Sequence, residues 1–134
     1  MTKQIKFRGF RVDGKGWVDG YYVYRPDGKH LIYWKPFPES TNNTYHEIHP
    51  ESLGMFTGLH DKNGKEIYGA IGENGGDWIQ VAQGYISYIT FKDAMFVSVH
   101  SHPEDGEEIP LLDIIGFKNN TEIIGNQFEQ DYGK

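Results

Sequence analysis

Two histidines at the end of an apolar run come closest to chemistry in this 134-residue chain: His100 and His102 in Met95-Phe96-Val97-Ser98-Val99-His100-Ser101-His102-Pro103. Residues two apart on a strand project to one side, so the pair could offer two imidazole nitrogens to a single zinc ion. A zinc hydrolase also needs a third ligand, a general base and a group that holds the tetrahedral intermediate. His46 and His49 form a second pair. Their spacing of three suits ligation on a helix, and β-branched Ile48 with Pro50 argues against one there. The four histidines make a four-nitrogen site only if the fold brings them together.

The segment His100-Ser101-His102-Pro103 resembles the zinc-ligand segment of the JAMM metalloproteases, and the resemblance stops there. The Ser and the Asp ligand of that family would fall at Leu111 and Ile114, neither of which can serve. Asp113 lies one position short, and no Ser follows Ser101. A zinc-dependent hydrolase using His100 and His102 is therefore the remote alternative. No catalytic, cofactor-binding or metal-binding residue is assigned, and no cofactor is implied. The chain has no Cys nucleophile and no Gly-x-Ser-x-Gly elbow, and its glycine-rich stretch 69–76 lacks the Lys and the helix of a phosphate loop. Glu104, Asp105, Glu107 and Glu108 read as a solvated turn.

The elements that must position these groups are strands. Strand-like runs fall at 4–11, 17–25, 30–34, 45–49, 53–59, 65–68, 78–83, 85–91, 95–100 and 121–128. Turn pairs stand between many of them: Asp13-Gly14, Asp27-Gly28, Asn63-Gly64, Gly75-Gly76 and Asp105-Gly106. The clearest is Phe56 to Tyr68, where Asn63-Gly64 predicts a two-residue hairpin turn between apolar flanks. Residues 36–44, with two prolines and a polar run, predict a loop. The one short helix predicted lies around Leu111 to Ile115, between Pro110 and Gly116, where an apolar run this short fits a buried strand equally well. The expected class is all-β, a strand-rich barrel or packed sheets with at most one short helix. Nine Tyr, eight Phe and three Trp, with seventeen Gly, agree with strands joined by tight turns.

A chain of this length makes one domain, 1–134, which can divide into an N-terminal β lobe of about 1–55 and a C-terminal β lobe of about 56–134. Without Cys, neither a disulfide framework nor a thiolate zinc site can form. No run reaches the length of roughly 18 apolar residues that a membrane helix needs, and the N-terminus lacks an apolar leader. The expectation is a protein of the bacterial cytoplasm without membrane contact. Its net charge of −6 is unevenly spread. Residues 1–35 carry eight Lys or Arg against three Asp, and the remainder carries five basic against sixteen acidic residues. Lys6 and Arg8 project from one face of a predicted strand, with Lys3, Arg11 and Lys15 near. They are expected to pair with the acidic remainder on folding, or else to meet nucleic acid or a second subunit.

Four blocks in order carry a wider resemblance. They are Ile5-Lys6-Phe7-Arg8-Gly9 with Gly16 to Tyr24, His49 to Leu59, the hairpin that ends at Ile67-Tyr68, and Glu122-Ile123-Ile124-Gly125-Asn126-Gln127-Phe128-Glu129. Together they resemble the YopX family of small proteins encoded by bacteriophages and prophages. The resemblance implies a fold and a phage origin and leaves biochemical activity open. In that family Ile-Tyr runs directly into Glu-Gly-Asp-Ile. Here Gly69 to Gly75 intervene before Gly76-Asp77, which reads as an insertion.

Two functional classes follow. The first is a non-enzymatic binding module that contacts a host or phage protein through Tyr21, Tyr22, Tyr24, Tyr33 and Trp34, residue types that give rigid contact area at low entropic cost. The alternative is a single-stranded nucleic-acid-binding β-barrel using Lys6, Arg8, Tyr22 and Tyr24. A pI near 5.4 weighs against the alternative. Unpaired strand edges make a homo-oligomer a further expectation.

Overall fold

The computed structural model of the chain describes residues 5–34, 44–80, 86–92, 95–100, 108–110 and 121–132. Strands run through nearly all of them: β1 Phe7–Phe10, β2 Trp17–Tyr24, β3 His30–Tyr33, β4 Tyr45–Glu47, β5 Gly54–His60 and β6 Glu66–Ala70. Then come β7 Asp77–Gln80, β8 Ile86–Lys92, β9 Met95–His100, β10 Glu108–Pro110 and β11 Glu122–Asn126. A 3-10 turn at Pro50–Ser52 and a six-residue helix α1, Gln127–Tyr132, complete the described elements. The all-β expectation holds. The strands form one curled half-barrel sheet in the order β10-β9-β8-β6-β5-β1-β2-β3-β4, with β7 on β8 and β11 on β7. Among the described residues every pairing between strands is antiparallel except β6 with β8, which meet in parallel at Ala70 and Thr90.

Two strands create the curl. β2 serves two partners in succession: Trp17 to Gly20 pair with β1, and Tyr21 to Tyr24 pair with β3. The change happens at Gly20, whose φ of 151° suits glycine and whose Cβ would overlap the Tyr33 carbonyl oxygen. β1 likewise gives its second edge to two neighbours, β5 at Phe7 and Arg8 and then the segment after β4. The bridge Arg11 to Ile48, with His49 N–H donating to the Phe10 carbonyl, returns the chain to β1. Strands β1 to β4 thereby close on themselves around Ile32, Ile48 and Leu53, with Phe7, Val18 and Tyr22 packed alongside. A second cluster, Ile67, Ile79 and Ile89 with Leu59, Phe96 and Ile123, fills the space between β5–β6 and β7–β8–β9–β11.

Three details differ from expectation, each for a local reason. The Asn63-Gly64 hairpin has a three-residue loop, Lys62 to Gly64, closed by Asp61 N–H to the Lys65 carbonyl. Asp61 Oδ1 accepts the amides of Asn63 and Lys65, which favours this three-residue loop with Gly64 left-handed at 83°. The predicted strand 121–128 ends at Asn126, because Asn126 Oδ1 accepts the Glu129 amide and so caps a helix. Strand β10 takes Glu108 from the carboxylate run that reads as a solvated turn and Ile109-Pro110 from the start of the next apolar run, because these three residues pair with Val99 to Val97 of β9. Of the predicted loop 36–44 only Thr44 is described; it is buried, and its carbonyl receives the Trp34 amide. The predicted helix at Leu111 to Ile115 lies outside the described residues. No helix among the described residues is long and apolar enough to cross a membrane.

Candidate functional site

Arg8 leaves β1 on the same face as its cross-strand neighbour Asp19. Its guanidinium lies between two rings, 4.7 Å from the Trp17 centroid and 4.6 Å from that of Tyr68. A planar, weakly hydrated cation suits such a slot where an ammonium would not. Arg8 Nη2 donates to Asp77 Oδ1 at 2.8 Å and to the Gly75 carbonyl at 3.1 Å. Asp77 is 2% exposed, and its second oxygen accepts the Tyr68 amide at 2.8 Å. Burial pushes the Asp77 carboxyl up, against the opposing pull of Arg8 and the Tyr68 amide.

The glycines of 69–76 fix the carbonyl and carboxylate that receive Arg8. The amides of Ile71 and Gly72 donate to the Leu53 carbonyl, and that of Asn74 donates to the Glu51 carbonyl. A Cβ at Gly72 would overlap the Pro50 carbonyl, and one at Gly75 would overlap that of Leu53. Backbone lies directly on backbone here, so glycine is required by contact. Gly76 is then clamped from the other side: its amide donates to Gln127 Oε1 and its carbonyl accepts the Gln127 amide. Helix α1 finishes the clamp by burying Phe128 against Phe10, Trp17 and His49, while Trp17 Nε1 donates to Glu129 Oε1 at 2.5 Å.

Two clefts open beside Arg8. One, of 410 Å³, is bounded by Arg8, Lys65, Glu66, Asp77 and the β11 residues Ile123 to Asn126. The other, of 280 Å³, is bounded by Arg8, Lys65 and Glu66 again with Trp17, Val18, Asp19 and Tyr68. Glu66 accepts Lys6 Nζ at 2.6 Å on one oxygen and the Tyr68 hydroxyl at 3.1 Å on the other. Burial alone would raise the Glu66 carboxyl; the bond and charge of Lys6 outweigh it and hold it below its ordinary value. Burial, helped by the charge of Glu66, pushes the Tyr68 hydroxyl far up, so it remains a donor.

The family model described as YopX protein matches residues 6–131, a span that holds every residue of both clefts. The chain belongs to the YopX family. No curated protein gives a significant match to it. In this YopX protein the aromatic candidates divide. Tyr21, Tyr24 and Trp34 are exposed, whereas Tyr22 and Tyr33 are half-buried. Tyr22 packs on the Ile32 cluster and bonds His30 Nδ1 at 2.6 Å, and the Tyr33 ring lies tilted against that of Tyr45 at 5.1 Å.

The basic strand behaves as a set of ion pairs. Lys6 meets Glu66, Arg8 meets Asp77 and Arg11 meets Asp13, the last pair partly exposed. Lys3 lies outside the described residues. His46 and His49 lie apart in role: burial and the nearby Arg11 charge lower His46, while His49 joins the Phe128 pocket. His100 ends β9 opposite Ser87, and His102 lies outside the described residues. Among the described residues no three His, Cys, Asp or Glu side chains are grouped to hold a metal ion. Sequence reasoning missed Trp17, Tyr68 and Asp77 as partners of Arg8, since they come from three separate strands. The Asn126-x-x-Glu129 spacing was a readable signal for the cap.

Proposed function

We propose that this YopX protein is a non-enzymatic binding module of phage or prophage origin that docks on a host or phage protein in the bacterial cytoplasm. The observation that supports it is the β2–β3 hairpin, where Tyr21, Val23, Tyr24 and Trp34 stay 54%, 38%, 61% and 44% exposed. Tyr21 and Val23 project from one face of β2 and Tyr24 from the other, and exposed aromatics on such a hairpin favour a protein contact because Tyr and Trp bring area and hydrogen-bonding capacity at small entropic cost. The nucleic-acid alternative asks Lys6 and Arg8 for phosphate contacts, and the Lys6 ammonium and Arg8 Nη2 are already engaged by Glu66 and Asp77.

The test is a tagged pull-down of the full chain from lysate of its host, with and without nuclease, beside the double substitution Tyr21→Ser/Tyr24→Ser. A stoichiometric protein that survives nuclease and is retained about tenfold less by the double variant is the expected result. Capture abolished by nuclease would move the reading to single-stranded nucleic acid. Equal capture by both chains would remove the hairpin from the contact.

A further inference from the structure

We infer that the larger Arg8 cleft receives a carboxylate side chain, so that the segment by which the partner docks is an acidic peptide; this rests on the binding-module reading above. Both carboxylates of the cleft are occupied, Asp77 by Arg8 and the Tyr68 amide, Glu66 by Lys6 and the Tyr68 hydroxyl. What remains open is a set of donors. Arg8 spends Nη2 on Asp77 and Gly75, while Nη1 has no acceptor among the described residues and the side chain keeps 14% of its surface. Lys65 is exposed, with no ion-pair partner among the described residues. Asn126 uses Oδ1 to cap α1, which leaves its Nδ2 hydrogens free.

Three residues with open donors, two of them charged, line a space of 410 Å³ whose wall also includes the occupied carboxylates of Glu66 and Asp77 and apolar Ile123 and Ile124. Ionised acceptors gain most from such donors, and the Trp17–Tyr68 slot holds the guanidinium in place before anything binds. The charge of the neighbouring cleft selects the kind of anion. Asp19 lies there, exposed and without an ion-pair partner among the described residues. A nucleic-acid strand crossing both clefts would bring a phosphate against it, whereas a peptide can place one carboxylate beside Lys65 and an uncharged or basic residue beside Asp19. Tyr21 stands two residues beyond Asp19 on the same strand, so one extended segment can reach cleft and hairpin together.

The test is an amide chemical-shift titration of the full chain with the peptide acetyl-Ala-Glu-Glu-Ala-amide, and in parallel with inorganic phosphate and a ten-residue oligothymidylate. Saturating shifts at Lys65, Gly125 and Asn126 with the peptide are expected. Lys65→Glu weakens it about tenfold, and Asn126→Asp, which keeps the cap but adds a negative charge, does the same. Lys29→Glu, an equal charge change on the distant hairpin turn, leaves the affinity unchanged. Absent or scattered shifts, or equal weakening by Lys29→Glu, would overturn the assignment. So would tighter binding of phosphate at these amides, which marks a free-anion site, or of the oligonucleotide with a steep salt dependence. In the pull-down, a partner kept by Lys65→Glu but lost by Tyr21→Ser/Tyr24→Ser would overturn the cleft assignment alone. No partner for the unsubstituted chain would overturn the reading beneath it.

Discussion

Arg8 and Asp77 form the contact on which the most depends per atom. Removing one member of a buried pair strands the other charge, so Asp77→Ala should cost about 3–5 kcal/mol in chemical denaturation. Replacing both, as Arg8→Met with Asp77→Leu, should recover much of that loss, since buried pairs often give little over apolar groups of similar volume. The carboxyls also set the response to acid. Asp61 is pushed up by burial, but the amides of Ile123, Lys65 and Asn63 outweigh this and hold it below its ordinary 3.8. A lowered carboxyl contributes stability above its unfolded value and loses it as pH falls through the folded one. Melting temperature should therefore drop on acidification below about pH 4, less steeply for Asp61→Asn. Asp77 runs the other way: with its value raised, its contribution is largest at low pH and is lost as the carboxyl ionises, which blunts the total change. None of these partnerships was legible from residue type alone. The sequence showed Lys6 and Arg8 on one face and an acidic remainder, but which carboxylate meets which base depends on chain separations of 60 and 69 residues.

At the scale of elements, α1 is short enough that its own backbone bonds cannot sustain it. Its place comes from Phe128, from the Asn126 cap and from the paired Gln127–Gly76 bonds. Phe128→Ala should cost about 3–5 kcal/mol and expose Trp17 to water, which a red shift of indole emission would report. Most strands were legible because alternating apolar residues between Gly-containing turns leave few other solutions, and β2, β3 and β9 lie where the pattern put them, within a residue or two. Strand β11 was legible but its end at Asn126 was not. Beyond it the pattern Ile-Ile-x-x-x-Phe continues with a strand-like look, and only the Asn-x-x-Glu spacing distinguishes a cap from further strand. The turn at Asp61 failed for a related reason, because its side chain decides the loop geometry and an Asn-Gly pair was read without it.

For the whole molecule, the two apolar clusters are coupled rather than merely adjacent. β1 pairs with β5, Lys6 crosses to Glu66 and Arg8 crosses to Asp77, so the basic beginning of the chain is tied to its acidic remainder at three levels of one strand. Unfolding followed by tryptophan emission and by far-UV circular dichroism should therefore give coincident transitions; separate midpoints would mean that the clusters melt independently. The lopsided charge was plain in the sequence, whereas its use as an internal fastening needed the fold. The bend at Gly20 carries one more implication. Upstream of it, β2 belongs to the scaffold around Arg8; downstream, it belongs to a hairpin that carries Tyr21 at its base and Val23 and Tyr24 toward its tip. Substitutions past the bend can rewrite that tip without disturbing the register from Phe7 to Phe10. If the binding-module proposal holds, the chain is a fixed handle with an exchangeable reading head, a division that would let recognition diversify while the fold stays inherited.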